Sequence, residues 1–335
     1  MDMPLGEKLY PVRRDALWGY IDAHGNLAIR HRFEYASLFS EGLAHVLSSG
    51  EDFFIDARGQ EAIRLPTPWG GAWISTGFSK GIAPIDFIST GTVRYLRRDG
   101  TPLTSVCFAN GEAFCNGVAV VKVGNREGLL ASEGNLVCEP QFRRLLSFRP
   151  GEPVSPFLTD ESCGLLDMSG RRTLELPGDW GEIRPFSEGL FAVCPRGGRF
   201  RFLDASGQRA FGTDYWEVTM FVEGKAVVCA EYEECALVGR DGRPLTGFGF
   251  RELCTCEGGR IIFRKGNETS VGGTPNHGRY GILDASCREI VPPRFDYLHP
   301  FGGELAQYEE GDFENGEAAF GYVDRSGRIV WPAER

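Results

Sequence analysis

The chain has 335 residues, 42% of them hydrophobic and 24% charged, with a formal net charge of −10 and a pI of about 5.2. Such an acidic balance argues against nucleic acid and anionic membrane faces as partners. No run approaches the ~18 apolar residues of a membrane-spanning helix, and MDMPLGEKLYPVRRDALWGY holds no apolar signal core, so a cytoplasmic location is expected.

The first legible element is Trp18–Val46, WGYIDAHGNLAIRHRFEYASLFSEGLAHV. Its first half reads as two short strands, Tyr20–Ile21 ending one and Leu27–Ile29 opening the next, around a turn bracketed by Asp22 and Gly25. Gly tolerates the positive φ of a tight reversal, and Asp can accept hydrogen bonds from the turn backbone. The second half, FSEGLAHV, reads as a third strand, Gly42–Val46, preceded by Phe39 as an apolar plug.

The rest of the chain repeats this segment. The turn glycine recurs at Gly25, Gly59, Gly100, Gly134, Gly170, Gly207 and Gly242, then as Cys287, then as Gly327, at spacings of 34 to 45 residues. Three residues before it stands Asp in most copies: Asp22, Asp56, Asp167, Asp204, Asp284 and Asp324, with Arg97, Ala131 and Gly239 as departures. Eight residues after it comes an aromatic: Phe33, Phe108, Phe142, Tyr215, Phe250 and Phe295. The plug follows at fourteen, as Phe39, Phe114, Phe148, Phe221 and Phe301, with Cys256 once and Phe78 and Phe186 displaced by short insertions. Columns that hold register over the whole chain mark tandem repeats. Each unit makes three strands of about five residues, too small a sheet to stand alone. Its apolar faces call for neighbouring sheets, and helical periodicity is almost absent.

These residues resemble the WG repeat family, with its pattern W-G-Y-I-D-x-x-G followed by F and F-x-E-G-L-A-x-V. The first copy matches best; CGLLDMSGRRTLELPGDWGEIRPFSEGLFAV and YGILDASCREIVPPRFDYLHPF are close. The namesake Trp-Gly survives only at Trp18–Gly19, and later copies carry Phe320–Gly321, Tyr280–Gly281 or Cys163–Gly164. The resemblance spans about residues 18–332 and implies an all-β repeat protein. It carries over no common catalytic residues.

The expected architecture is one all-β repeat domain over 1–335, built of tandem three-stranded antiparallel units. About eight are full and one is terminal and partial, with starts near 18, 53, 93, 127, 163, 200, 235, 280 and 320. The last copy, FGYVDRSGRIVWP, stops after two strands, and Lys8–Val12 lies where a third strand would precede Trp18. The N-terminus is therefore expected to supply the strand the C-terminus lacks and to close a propeller-like ring. An open superhelical array is the alternative.

Candidate chemistry is sparse. The repeated Asp reads as turn chemistry, since D-x-D-x-D-G calcium loops do not occur. His24, His31, His45, His277 and His299 are scattered; His31 and His45 share a unit, but no third ligand or nucleophile accompanies them. There is no G-x-S-x-G, P-loop or H-E-x-x-H. The ten cysteines show no C-x-x-C; Cys138, Cys194 and Cys229 fall at strand positions, and all are expected to be reduced and used as small hydrophobes. Cys254 and Cys256, two apart on one strand face, are a weak metal hint. No metal or cofactor is expected.

Insertions carry what is particular to this chain. Pro66–Gly77 holds Trp69 and Trp73, which suit a binding anchor or could cover their own unit's plug. Gly266–Arg279 is polar. Glu309–Glu317 groups Glu309, Glu310, Asp312 and Glu314 around Phe313, and Glu231, Glu233 and Glu234 form a smaller acidic knot. The candidate partner-binding residues are thus Glu309, Glu310, Asp312, Phe313, Glu314, Trp69 and Trp73. The expected function is a non-catalytic protein-binding scaffold of a bacterial cytoplasm, facing a basic partner and in one version a toxin held by its immunity protein. A hydrolase or lyase site in a propeller mouth, or a small-ligand or glycan site, are the alternatives.

Overall fold

The computed structural model describes residues 8–65, 72–73, 77–87, 89–256, 258–265, 278–311 and 319–334, with positions 72, 73 and 256 described for the backbone alone. Every regular element among them is a strand, grouped into nine antiparallel sheets. Four sheets have three strands and five have four; each strand pairs with its neighbour in sequence, an up-and-down meander of the propeller-blade kind. The extra strand is usually two residues long, as at Tyr35–Ala36, Asn110–Gly111, Arg144–Leu145 and Tyr297–Leu298. The fold class is all-β, with tandem propeller-like sheets. The chain divides into two compact units: Met1–Asp22 with Asn26–Phe186, and Ala23–Gly25 with Ser187–Arg335.

In both units the hydrophobic clusters lie between consecutive sheets. Within the first, Tyr20, Ile29 and Phe33 of one sheet meet Ala44, Val46 and Ile55 of the next. Phe54, Ile63, Phe78 and Ile85 form the following layer, then Tyr95, Phe108, Phe114 and Val121, then Leu129, Phe142, Phe148 and Phe157. In the second unit Phe202, Tyr215, Phe221 and Val228 fill one layer, Leu237, Phe250 and Phe263 the next, and Tyr280, Phe295 and Tyr308 the last. The aromatic and plug columns are core positions: Phe114, Phe142, Phe221 and Phe295 are at most 2% exposed. Because one sheet cannot bury both its faces, these shared layers hold the array together.

Three further columns join consecutive repeats through polar atoms. In F-x-E-G, Glu and Gly both take positive φ, as at Glu41 and Gly42 (49° and 78°) and Glu223 and Gly224 (49° and 77°), which makes a tight hairpin turn of the primed type. The Glu carboxylate then accepts the backbone N–H groups of the equivalent turn one repeat on. Lys80 and Gly81 donate to Glu41 at 2.7 and 2.9 Å, and Gly258 and Gly259 donate to Glu223 at 2.7 and 2.8 Å. Gly224 donates to Glu188 in the same way. The Ser that follows the plug donates to the carbonyl of the next plug: Ser40 to Phe78, Ser79 to Phe114 and Ser187 to Phe221. An Arg also reaches back to the clamping turn, as Arg98 does to the Glu41 carbonyl and Arg240 to that of Glu188. Glu223→Ala orphans two N–H groups and is expected to cost about 1 kcal/mol, as losing a helix N-cap does; thermal melting of the purified variant measures it.

Two expectations are corrected here. The N-terminal strand, Tyr10–Arg14, pairs with Leu17–Ile21 and completes the first sheet. It does not complete the last, which draws four strands from Tyr297–Leu298, Leu305–Glu310, Ala319–Asp324 and Ile329–Glu334. Tyr322 lies between Gln307 and Trp331, and Ile329 faces Val323, so these strands already have partners. The physical reason is phase: a sheet takes its first long strand from just after the plug, so the segment before Trp18 and the one after Phe301 play the same part in different sheets.

The second correction concerns the thiols. Cys229 and Cys235 form a disulfide, directly opposed in the hairpin of Lys225–Glu231 and Glu234–Gly239 with Cα atoms 4.0 Å apart. Cys107, Cys115, Cys138, Cys163 and Cys287 stand outside any disulfide, and among them Cys138 and Cys163 are buried. Burial pushes the Cys163 thiol up to about 12, so it stays neutral and behaves as a small apolar group.

Candidate partner-binding site

The repeated Asp carboxylates are occupied by their own turns. Asp56 Oδ1 accepts the N–H groups of Arg58 and Gln60, both at 2.9 Å. Asp204 accepts from Ser206 N–H, Ser206 Oγ and Gln208 N–H, and Asp284 from Ser286 N–H, Arg288 N–H and Arg288 Nε. Two copies that lack this Asp place one inside the turn instead: Asp99 accepts from Thr101 and Asp241 from Arg243. Hydroxyl donors hold Asp99, Asp167 and Asp204 below the usual carboxylate range, through Thr101, Ser169 and Ser206 in turn; the Arg288 N–H does the same for Asp284.

A carboxylate depressed in the folded state contributes stability above its unfolded value and loses it as pH falls through the folded value. The melting temperature is therefore expected to hold from neutral pH down to about 4 and to fall below the ordinary Asp value of 3.8. Scanning calorimetry against pH checks this. These groups lie at the surface, Asp99 exposed and the others partly so, and each contribution is small and screened.

The acidic segment is a strand where the structure describes it. Glu309 and Glu310 end the strand Leu305–Glu310, where side chains alternate between faces. Glu309 points its carboxylate at His299 Nε2, while Glu310 is exposed, opposite Ala319. Asp312, Phe313 and Glu314 lie outside the described residues, as does Trp69. Trp73 sits in the short strand Ala72–Trp73, its backbone opposite Asp86. Glu309 and Glu310 are thus neighbours in sequence with different surroundings.

Of the histidines, His45 is buried and its Nε2 lies 2.9 Å from Asp52. Among the described residues no three His, Cys, Asp or Glu side chains are grouped to hold a metal ion. The Glu of F-x-E-G and its clamp escaped sequence reasoning. Its only sequence signal is its recurrence as Glu41, Glu188 and Glu223 immediately before a glycine.

None of the curated proteins matches the chain. Among solved structures, the crystal structure of a eukaryotic initiation factor aligns at a TM-score of 0.72 and 12% identity, over 98% of this chain and 96% of that one. The computationally designed Ika8 protein aligns at 0.52 and 12%, over 97% and 98%. At such identity the likeness concerns the fold alone. The WG containing repeat family matches residues 18–48 and 280–312, the first copy and a late one on the columns described above. Those two stretches are WG-containing repeats.

Proposed function

We propose that this chain is a non-catalytic scaffold that binds another, basic protein, with an immunity-type inhibitor of a toxin in a bacterial cytoplasm as the concrete case. The observation that carries the reading is the division of its carboxylates. Those in the repeat columns are engaged as backbone acceptors within turns and between repeats. Among those that vary between copies, Glu310 is exposed and contributes to a net charge of −10. A negative field of this kind steers a basic protein and speeds its association in low salt.

The Cys229–Cys235 bond pulls against a reducing compartment, since such bonds persist in oxidising ones. Thiol labelling of freshly lysed cells distinguishes the two locations. Capture from native lysate tests the function: a basic protein retained at low salt and released at high salt is expected. Retention of an acidic protein, or a bond indifferent to salt, overturns the charge argument.

A further inference from the structure

A recess of about 300 Å³ opens in the second unit, around the hairpin stapled by Cys229 and Cys235. Its apolar lining comes from Val218, Val227 and Leu253 together with that disulfide. Trp216 and Tyr232 stand at its edge, edge-to-face at 5.9 Å, yet 44% and 72% exposed. Two large aromatics left this open beside an apolar recess cover no core of their own. Trp and Tyr in that setting are the residue types that anchor protein interfaces.

The charges around the recess choose the occupant. Three carboxylates line it, Glu217, Glu233 and Glu252, with two guanidinium groups, Arg251 and Arg264. Both cations are engaged: Arg251 pairs with Glu233, and Arg264 lies 3.5 Å from Glu233 and 3.6 Å from Glu252. The positive charge of both groups is thus largely neutralised within the lining. The balance of the lining is negative, the neighbouring tip adds Glu234 while Glu231 pairs with Arg199, and the aromatic faces favour a cation. The apolar floor suits the methylene stem of a long side chain. A guanidinium fits best, because its planar head stacks on a ring while donating to carboxylates.

We infer that this recess is a docking site for an arginine side chain of a basic protein, its guanidinium stacked on the exposed faces of the Trp216–Tyr232 pair and its stem on Val218, Val227 and Leu253. The inference rests on the proposed basic partner and locates where that partner is gripped. The disulfide holds the hairpin tip that carries Tyr232 and Glu233, so the edge of the recess is set before binding.

The test uses the full chain and a peptide probe, acetyl-Gly-Arg-Arg-Gly-amide, with its citrulline counterpart as a neutral isostere, measured by calorimetry in low salt. Saturable binding of the arginine peptide is expected. Trp216→Ala and Tyr232→Ala should each weaken it on the order of tenfold, as loss of a cation–π contact does. The citrulline peptide should bind more weakly by a similar factor. Both replaced side chains are solvent-exposed, and an unchanged melting temperature verifies that each variant is folded. Equal affinity of the variants, or of the citrulline peptide, overturns the docking site while leaving a diffuse acidic surface for the partner. Absence of binding to the parent chain overturns it as well, and the scaffold reading is then judged by lysate capture alone.

Discussion

Phe221→Ala is expected to cost about 3–5 kcal/mol of stability, as for other buried Phe truncations. Phe221 is 1% exposed and edge-to-face with Phe202 at 5.2 Å. It belongs to the layer that Leu190, Ala192 and Phe202 of one sheet share with Val218, Ala226 and Val228 of the next. The ring is large and the hairpins around it are tied by backbone ladders, so the surroundings cannot collapse into the void. Its carbonyl also accepts the Ser187 hydroxyl, which ties the plug's backbone to the preceding repeat. Urea denaturation of the purified variant measures the loss. A midpoint equal to the parent's means the plug column is not core.

Gly281→Ala should cost about 1–3 kcal/mol or more, the range for forcing atoms into a packed site. Gly281 occupies the Gly of the Trp-Gly column, where a Cβ would lie 2.5 Å from the Val291 carbonyl oxygen and 2.7 Å from the Phe263 ring. The strand opposite bulges toward it, the register slipping between Tyr280 and Ile282. The same slip and the same close carbonyl recur at Gly19, facing Ile29. This glycine is therefore held by space. Gly247→Ala, where a Cβ meets nothing within 4 Å, serves as the control and should leave the urea midpoint unchanged.

The turn-glycine column was the most legible feature because its cause is local. Gly25, Gly59, Gly170 and Gly327 all take φ between 78° and 88°, and Cys287 takes 62° in the same place. With the turns fixed, the aromatic column falls on buried positions and the plug column on buried or half-buried ones. The ends were misjudged because a repeat has no natural first residue. Starting each unit at Trp-Gly made the C-terminus look short of a strand, when Leu305–Glu310 already supplied it.

The disulfide was hidden for a different reason. The turn between Cys229 and Cys235 is Ala-Glu-Tyr-Glu-Glu, without Gly, Pro or Asn, and Glu233 takes φ 58° there. Without a turn signal, the register that opposes the two cysteines could not be assigned. The aromatic pair was missed alongside it: Trp216 and Tyr232 meet only once that hairpin is folded. The F-x-E-G clamp links atoms about one repeat apart in sequence, a spacing at which no sequence pattern distinguishes a partner from a coincidence.

The central claim is that repeated carboxylates build the frame while copy-specific ones meet the partner. It is tested by assaying Asp204→Asn and Glu310→Lys side by side for melting temperature and for capture of the partner recovered from lysate. A crossed pattern is predicted. Asp204→Asn should lower the melting temperature and leave capture intact, because its carboxylate serves its own turn, through Ser206 and Gln208. Glu310→Lys should leave melting unchanged and slow association in low salt, with a weaker salt dependence. Loss of capture in Asp204→Asn at an unchanged melting temperature, with Glu310→Lys binding at the parental rate, would contradict the account.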